Sequence, residues 1–454
     1  MINDELAATS ETPKAAKQTF SGGVGFILAC IGSAVGLGNI WRFPVLISQF
    51  GGLTFLIPYI IFVILITYTG VIEEYALGRA SGKGPIGAFG WACKDRGFEG
   101  VGRKIGVLPM LGSFGLAVGY SVILGWVLYY LYQAVTGHLL GFTGNLQGLK
   151  DMFEGIACAG GCNGGIIAAT LLCIAIMSAG VASGIERANR ILLPSLAVLF
   201  LLLIVYIATI PGAKDGFKYI FTLEPQHLAN PKVWIFAFGQ AFFSLSVTGN
   251  ISVIFGSYLP KDEDIPQSAF FVALFDTLAA LLATLMIIPA MATTGTQLSA
   301  GGPGLMFIYL VDVFNRMPGG WLVQAMFFIG VSSAGITTLI TIYEPAVALA
   351  NKKLGLSRWL TAVLVLSVGC VTAISIQSFT SPWMDLLSIY ICPLGALLAA
   401  VAFFWMLDKP KALEAVNEGS QHPVGDRFHW VGKYVYCLAT LIALIAGGWL
   451  GGIG

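Results

Sequence analysis

Long apolar runs separated by short polar connections follow one another along the chain from residue 24 to its end. Most of them approach or exceed the roughly 20 residues that a helix needs to cross a bilayer, and none has the alternating ten-residue pattern of a membrane barrel. The pattern therefore predicts an all-α membrane protein with eleven transmembrane helices. The predicted spans are residues 24–46, 53–77, 107–136, 166–182, 191–211, 233–257, 267–291, 322–349, 359–378, 386–407 and 432–451.

Polar stretches at the two ends set the domain boundaries. Residues 1–19 lack an apolar core, so we expect a cytoplasmic tail and no cleavable signal peptide. Residues 20–407 form the predicted helical core, and residues 408–454 form a polar loop followed by the eleventh span. Within the core, the shorter stretch 303–317 is predicted to be an amphipathic helix in a loop.

Charge distribution gives the expected orientation in the membrane. Only 10% of the residues are charged, against about 25% in soluble domains, and the net charge is +1, which gives no reason to expect a nucleic-acid partner. Basic residues concentrate in the connections 79–104 and 350–358, whereas 137–165 has only Lys150. The positive-inside rule places the first two connections and the N-terminus in the cytoplasm. The expected location is the cell (inner or plasma) membrane, with the lipid bilayer as a partner.

The cysteines and histidines indicate no metal centre. Cys158 and Cys162 lie in the glycine-rich stretch ACAGGCNGG, which the orientation places outside the cell. They either form a disulfide, which that compartment permits, or stay as two free thiols. The four histidines show no metal-ligand spacing.

Two spans are interrupted at their centres by glycines and polar residues. The first has the sequence GFILACIGSAVGLGNIWRFP, and the sixth has WIFAFGQAFFSLSVTGNISVIFGSY. Each opens a set of five spans, and matched interruptions of this kind indicate an inverted-repeat transporter whose binding site lies at the breaks. Unwound backbone at that depth is tolerated where it lines a cavity. Any one of these glycines could simply allow close helix packing, but the matched polar clusters favour a site.

The sequence GSAVGLGNIWRFP at 32–44 closely resembles the first-helix signature of the neurotransmitter:sodium symporter family. Similar matches are EYALGR at 74–79, FGQAFFSLS at 238–246 and SSAGITTLITIYEP at 332–345. The similarity covers roughly residues 17–407. It implies the eleven-helix architecture of bacterial members, with two inverted five-helix repeats and broken helices 1 and 6.

The resemblance also implies two sodium sites. The first would consist of the substrate carboxylate, the Ala34 carbonyl and the side chains of Asn39, Ser244 and Asp276. The second would consist of the carbonyls of Gly32, Val35 and Ala334 with the hydroxyls of Thr337 and Thr338. Threonines in helices often bond only to their own backbone, so these two would carry little weight without the family match.

For the substrate, the resemblance places a carboxylate at the amides of Leu37 and Gly38 and at the hydroxyl of Tyr120. Relatives that carry monoamines have an acid at the position of Gly36, so glycine there favours an amino acid, which brings its own carboxylate. Gly249 stands where a relative has an aromatic side chain, which predicts a larger or more polar pocket. The full set of implied substrate residues is Ala34, Gly36, Leu37, Gly38, Leu116, Tyr120, Phe243, Ser246, Gly249, Thr338 and Ile342.

The gates and the release hinge follow from the same resemblance. Tyr120 and Phe243 would close over the substrate, with an outer gate between Arg42 and Asp385, although Arg42 could instead reach the membrane surface. Lys17 matches the cation of the inner gate, but Lys352 stands where its acidic partner is expected. Gly184 and Pro194 match a hinge that unwinds during release; the alternative is an ordinary helix start with Pro194 in its first turn.

Chloride is not expected to be required. Many animal relatives hold it with residues that match Tyr59, Gln240, Ser244 and a serine in the seventh span. Here Ala280 takes the position of that serine, and Asp276 supplies a permanent negative charge in place of a neutral asparagine.

The predicted function is a sodium-coupled symporter that imports an amino acid by alternating access. The alternatives are an ion channel and a sodium-coupled carrier of a different organic osmolyte. An enzyme is not expected, because no nucleophile–base pair or metal set occurs among the intramembrane residues.

Overall fold

The computed structural model describes residues 19–295 and 304–450. Within these residues the chain consists of helices and connecting turns, with no β-strand. Eight continuous helices are long and apolar enough to cross a bilayer. In chain order they are Gly52–Ser81, Glu99–Val135, Val181–Ala208, Ile265–Thr293, Gly320–Leu354, Arg358–Ser375, Gln377–Met406 and Asp426–Trp449.

Three further elements complete the predicted eleven spans in the described part of the chain. The helices Gly23–Ala34 and Leu37–Phe50 form one span that is bent by 54°. Asn163–Ser178 is a shorter apolar helix. Pro231–Ser244 is followed, after a break, by Ile251–Gly256. Numbered in chain order, these three are spans 1, 4 and 6, so the predicted breaks in spans 1 and 6 are confirmed.

The break in span 1 lies at Val35 and Gly36, which connect its two helices. Both residues have extended backbone, with φ and ψ of −72° and 91° at Val35 and −124° and −170° at Gly36. The helical hydrogen-bond ladder is therefore interrupted in the middle of the bundle. Carbonyl and amide groups that a continuous helix would use internally are left available to a ligand.

The break in span 6 is longer and covers residues 245–250. Ser246 has a φ of 54°, the one positive value at a non-glycine position among the described residues. Its hydroxyl donates to the Ser33 carbonyl at 3.0 Å, so it ties one broken span to the other. A strained backbone of this kind persists only where the surroundings hold it in place.

Burial separates inner spans from outer ones. Spans 3 and 8 have 78% and 89% of their most apolar stretch buried, whereas spans 5 and 9 have 28%. The exposed apolar side chains of the outer spans form the surface that faces lipid. Span 8 packs against both span 3 and span 5, and span 1 lies beside spans 5 and 8. The two broken spans therefore meet in the most buried part of the molecule.

Several boundaries differ from those that the hydrophobic pattern predicts. Span 5 begins at Val181, ten residues before the predicted start, because Val181–Glu186 forms a wide π-helical turn that polar residues disguise in the sequence. The loop helix Leu305–Asn315 is buried except at the half-buried Tyr309, so it lacks the exposed polar face of an amphipathic helix. The polar stretch after residue 407 contains the helix Lys409–Asn417. Arg79 holds that helix by donating to the carbonyls of Ala415 at 3.1 Å and Glu418 at 2.6 Å.

Shorter helices cover the ends of the bundle. They are Pro85–Cys93, Leu146–Ala157, Ala213–Ile220 and the loop helix already described. Ser21, the connection 82–98 and Lys352 lie at one end, which we call the basic end. Cys158 and Cys162 lie toward the other end and are both free thiols, so the structure favours the second of the two alternatives for them.

Candidate functional site

Three polar side chains meet where spans 1, 6 and 7 cross. The Asp276 carboxylate accepts hydrogen bonds from Asn39 Nδ2 at 2.7 Å and from Ser244 Oγ at 2.6 Å, one on each oxygen. All three side chains are buried, with Asp276 fully so. The backbone amide of Gly36, at the break in span 1, donates to the other end of the Asn39 amide at 3.2 Å. The three side chains that the resemblance assigns to the first sodium site therefore form one connected network, and Ala34, whose carbonyl is the remaining protein ligand, lines the adjoining cavity.

This network concentrates oxygen atoms around a single formal charge. A carboxylate, a hydroxyl and an amide oxygen are the ligands that hard cations prefer. Charged groups inside a membrane protein are rare and mark ion pathways, since burying them is costly. In the structure the NH₂ group of Asn39 faces Asp276, so a cation in this place would require the amide to turn its oxygen inward.

A second cluster lies between spans 1 and 8. The Thr338 hydroxyl is 3.3 Å from the Gly32 carbonyl, 3.2 Å from that of Val35 and 2.9 Å from that of Ala334. These are the three carbonyls that the sequence assigns to the second sodium site. Thr337 differs, because its hydroxyl donates only within its own helix, to the carbonyls of Ser333 and Ala334 at 3.1 and 3.0 Å.

A narrow cavity adjoins both clusters. The space open to the centres of water molecules is about 40 Å³, enough for two or three waters. Both broken spans contribute to its wall, together with spans 3, 8 and 10. The lining residues are Ser33, Ala34, Gly36, Gly38, Asn39, Arg42, Leu116, Tyr120, Gly239, Phe242, Phe243, Ser244, Ser246, Val247, Thr248, Ile251, Thr338, Ile342, Ser388, Cys392 and Pro393.

The part of the cavity beside the break in span 1 is suited to an anion. The Tyr120 hydroxyl interacts with the backbone of Leu37, the first residue of the second helix of span 1. A Cβ atom at Gly36 would lie 3.3 Å from that hydroxyl and 3.1 Å from Thr338 Oγ1. A larger residue at 36 would crowd this place, and a helix N-terminus favours negative charge.

Comparison with known proteins decides the family. The model of the sodium:neurotransmitter symporter family matches residues 17–144 and 142–446. An uncharacterised sodium-dependent transporter of Methanocaldococcus jannaschii is 32% identical over 453 residues, which cover 95% of this chain and 89% of that protein. The chain belongs to the sodium:neurotransmitter symporter family. It is a sodium-dependent membrane transporter and not an enzyme.

Other similar proteins cover comparable lengths or less. The uncharacterised sodium-dependent transporter YhdH of Bacillus subtilis is 30% identical, over 93% of this chain and 95% of its own. The human sodium- and chloride-dependent transporter XTRP3 is 30% identical, but over 60% of this chain and 49% of its own. The crystal structure of MhsT in complex with L-phenylalanine matches this chain with a TM-score of 0.81 and 30% sequence identity. The match covers 94% of this chain and 99% of the MhsT chain.

Phe243 and Arg42 cover the side of this transporter's cavity that is predicted to face outward. Phe243 packs onto Gly38, where a Cβ atom would lie 2.6 Å from the ring. The Arg42 guanidinium lies 4.8 Å from the centre of the same ring, as a cation–π contact. Asp385 is exposed and makes no ion pair with Arg42 within 4.0 Å, so the structure does not bring the two predicted gate residues into direct contact.

Gly249 lies outside the cavity, contrary to the prediction that it enlarges the pocket. Its φ is 71°, and a Cβ atom would lie 2.3 Å from the Gly395 carbonyl in span 10. Its amide donates to Glu74 Oε1 at 2.6 Å. The left-handed backbone turns this position toward spans 2 and 10, so Val247 and Thr248 form the cavity wall instead.

The inner gate predicted for Lys17 lies outside the described residues, and Lys352 is exposed in the last turn of span 8. A different charged pair lies between spans 8 and 9. Glu344, fully buried in span 8, is bound by Arg358 of span 9, with Nη1 2.9 Å from Oε1, and by the Tyr258 hydroxyl at 2.8 Å. Breaking a buried pair of this kind costs about 3–5 kcal/mol.

The predicted release hinge spans the start of span 5. Gly184 belongs to the π-helical turn Val181–Glu186, and Pro194 lies two turns inside the following helix Arg187–Ala208. Pro194 is therefore not a first-turn proline, and it deprives the Arg190 carbonyl of its helical donor. This segment combines a wide turn with a missing hydrogen bond, which are both features of a weak helix.

Sequence reasoning missed several residues at the site. Ser388, Cys392 and Pro393 of span 10 line the cavity, although no local pattern marks them. Ser246, one of the implied substrate residues, lines the cavity, but its hydroxyl is used to join the two breaks. These contacts depend on how distant spans pack together, so the sequence carries no signal for them beyond the polar character of Ser388.

Proposed function

We propose that this transporter is a sodium-coupled symporter that imports an amino acid by alternating access. The observation that carries the proposal is the buried network of Asn39, Ser244 and Asp276 next to a cavity formed by both broken spans. A cation held there and a ligand in the cavity would share one site. Their binding free energies would be coupled, and such coupling is reciprocal.

Two sodium ions are proposed, one at each cluster. At the first, Asp276, Ser244 and Asn39 would supply oxygens, together with the Ala34 carbonyl and the substrate's carboxylate. At the second, the Thr338 hydroxyl already lies within 3.3 Å of three carbonyls. Thr337 is retained as a ligand of the second ion, which would require its hydroxyl to leave the Ser333 carbonyl.

An amino acid is the proposed substrate because the described lining of the cavity contains no acidic side chain to neutralise a monoamine and has a place for a carboxylate. Gly36, the Leu37 amide and the Tyr120 hydroxyl surround that place. The phenylalanine complex of MhsT, which covers 94% of this chain, supports the same class of ligand. A carboxylate at the helix N-terminus would also approach the first cation and complete its coordination.

The remaining wall of the cavity favours a neutral, mainly apolar side chain. Leu116, Ile251, Ile342 and Pro393 supply apolar surface. The hydroxyls of Thr248 and Ser33 line the cavity and are buried without a hydrogen-bond partner in the described chain, so both are polar groups available to a substrate. Gly249 has no role in this wall, since it faces span 10.

Transport is proposed to be independent of chloride. The Asp276 carboxylate would supply the negative charge that relatives take from chloride, and Ala280 offers no hydroxyl to an anion. The hydroxyl of Tyr59 and the amide of Gln240 are buried without partners among the described residues. They leave donors that an anion could use, so the role of chloride is a direct test of the assignment of Asp276.

The proposed orientation places the basic end in the cytoplasm and the protein in the cell membrane. Positive charge in the connection 82–98 and at Lys352 supports it. Arg42 and Phe243 would close the outer side, with Asp385 joining them when the outer side is fully shut. The Glu344–Arg358 pair would close the inner side, together with Lys17.

Uptake into liposomes tests the proposal. We expect saturable uptake of a neutral amino acid that depends on an inward sodium gradient and stops when potassium replaces sodium. A channel would give sodium current without amino-acid coupling, and an osmolyte carrier would leave all twenty amino acids without effect in a thermal-shift screen. Equal amino-acid affinity in sodium and in potassium would contradict the symporter.

A further inference from the structure

Asn189 of span 5 is a buried amide without partners. Its side chain is fully buried, and neither Oδ1 nor Nδ2 has a hydrogen-bond partner within the part of the chain that the structure describes. A buried polar group left unpaired destabilises the folded protein, and such groups are uncommon enough to require an explanation. An apolar residue would suit a merely structural position on this helix.

Asn189 lies directly against the second sodium cluster. A Cβ atom at Gly32 would lie 2.6 Å from Asn189 Oδ1 and 2.8 Å from Nδ2, so the amide covers the α-carbon of Gly32. The carbonyl of Gly32 is one of the three that the Thr338 hydroxyl contacts. Spans 1, 5 and 8 pack against one another here. The only orphan amide in this three-helix junction therefore stands beside the proposed ion, among the described residues.

A second polar side chain of span 5 packs against another glycine of span 1, Gly25, which lies closer to the basic end than Gly32 does. A Cβ atom at Gly25 would lie 2.4 Å from either oxygen of Glu186. Glu186 is bound in place, because the Ser21 amide donates to it at 3.0 Å and Arg190 Nη2 at 2.6 Å. Asn189, three residues further along the same helix, has no such partners. Gly25 is thus covered by a carboxylate that has hydrogen-bond partners, and Gly32 by an amide that has none and lies beside the proposed ion.

Asn189 also lies in the weakest part of span 5. It falls between Gly184, in the π-helical turn, and Pro194, which removes the hydrogen bond to the Arg190 carbonyl. Opening of this segment would separate its side chains from span 1 and would give the second cluster access to the basic end. The amide is the first polar side chain that an ion leaving between spans 1 and 5 would meet.

We propose that Asn189 is a sodium ligand for the ion in transit: its amide oxygen takes the ion from the Gly32 and Thr338 oxygens as span 5 opens. The proposal rests on the second sodium site of the proposed function. A neutral amide oxygen suits this task, because a dipole replaces part of the ion's hydration without trapping the ion as a carboxylate would. Asn189 is then a step on the release path and not a ligand of the resting site.

Two variants with opposite chemistry test the proposal. Asn189→Leu removes both polar atoms and keeps the number and branching of the side-chain heavy atoms, and Asn189→Asp adds a charge. ²²Na⁺ binding is measured without amino acid, so that the first site lacks the substrate carboxylate, and sodium release is timed from preloaded protein. We expect Asn189→Leu to change the sodium dissociation constant less than threefold but to slow release at least tenfold. Asn189→Asp should bind sodium at least tenfold more tightly and also release it more slowly.

If both variants release sodium at the rate of the unmodified protein, the proposal is wrong. The remaining explanation would be that a buried water molecule is the hydrogen-bond partner of the Asn189 amide. Asn189→Ala, which fits any space that asparagine fills, provides the same rate test if the leucine variant does not fold. Asn315→Leu is the matched control. Asn315 lies in the loop helix, and its buried amide donates to the Leu139 carbonyl at 2.8 Å. Its replacement by leucine should therefore lower thermal stability and leave sodium release unchanged.

Thr338→Ala separates a failure of this inference from a failure of the proposed function. If Thr338→Ala binds sodium as well as the unmodified protein does, the assignment of the second sodium site is wrong, and so is the role proposed for Asn189. If Thr338→Ala loses sodium while every Asn189 variant binds and releases it normally, the second site stands and the inference about Asn189 alone is wrong.

Discussion

The two clusters at the breaks differ in charge. The first contains a carboxylate, Asp276, that is fully buried and bonded to Asn39 and Ser244. The second consists of the Thr338 hydroxyl and backbone carbonyls of spans 1 and 8, without a formal charge. Both have the oxygen atoms that a sodium ion needs, but only one attracts it with a full negative charge.

The difference indicates separate tasks for the two clusters. A carboxylate next to the cavity can bind an ion tightly and bring it into contact with a substrate. A site made of a hydroxyl and backbone carbonyls binds an ion tightly only while the helices that carry these groups keep their spacing. Spans 1 and 8 form that site, and the weak segment of span 5 lies against it. We therefore infer that the first site couples sodium to substrate and that the second controls release.

The largest effect is expected from removing the charge of the first site. A unit charge about 4 Å from an ion, at an effective dielectric constant near 20, contributes about 4 kcal/mol, or roughly a thousandfold in affinity. Since Asp276 also accepts two hydrogen bonds, we expect a smaller loss, of at least about tenfold, in Asp276→Asn. The measurement is sodium-dependent amino-acid uptake into liposomes as a function of sodium concentration.

A double variant sharpens that result. Asp276→Asn with Ala280→Ser restores the neutral asparagine and the hydroxyl found in chloride-requiring relatives. We expect it to recover part of the uptake in chloride and none in gluconate. Ala280→Ser alone serves as the control and should remain indifferent to chloride. Recovery in both salts would mean that Asp276 does not substitute for an anion.

At the second site the two threonines should differ. Thr338→Ala removes the hydroxyl that contacts three carbonyls, and a bond to a charged group contributes about 1.5–3 kcal/mol, or roughly ten- to a hundredfold in affinity. Thr337→Ala should lower sodium affinity less, by about threefold, because the Thr337 hydroxyl must give up its bond to the Ser333 carbonyl before it can bind the ion. Equilibrium ²²Na⁺ binding without amino acid measures both. Equal losses in the two variants would remove the distinction between them.

Stiffening span 5 should slow release and spare binding. Pro194→Ala restores the amide that bonds to the Arg190 carbonyl, and a proline inside a helix costs about 3 kcal/mol relative to alanine. We expect turnover to fall about three- to tenfold with unchanged sodium affinity on the outer side, and hydrogen exchange at 184–194 to become slower. Pro58→Ala, a buried proline inside span 2, is the control and should not alter that exchange. Exchange at 184–194 that does not respond to sodium would count against the hinge.

The last prediction is that removal of chloride has no effect on uptake. Replacing chloride by gluconate should leave uptake by the unmodified protein unchanged, because the Asp276 carboxylate is part of the protein and is present in either salt. The orphan donors of Tyr59 and Gln240 make this a demanding test, since they would be used if an anion did bind. Uptake that falls in gluconate would show that the first cluster needs an external anion in addition to its carboxylate.

Sequence patterns were informative about the cluster residues and less so about the cavity. Asn39, Ser244 and Asp276 come together as the family resemblance implies, although the packing that joins spans 1, 6 and 7 is not encoded in any local pattern. Gly249 was misplaced, since its neighbours in the sequence do not reveal that a positive φ turns it toward Gly395. Asn189 was missed for a related reason: an amide in a helix gives no sign of whether it has a partner.

The sequence by itself determined the membrane class, the number of spans and the two breaks, because the length of an apolar run and the placing of glycine and polar residues are local properties that a bilayer constrains strongly. Only the tertiary structure decided which oxygen atoms meet, which charged residues pair between spans 8 and 9 and which amide lacks a partner. Those outcomes depend on distances between helices that are far apart in the chain, such as the 2.9 Å between Arg358 and Glu344. No local pattern encodes them, since the same residues in a bundle packed differently would meet other partners.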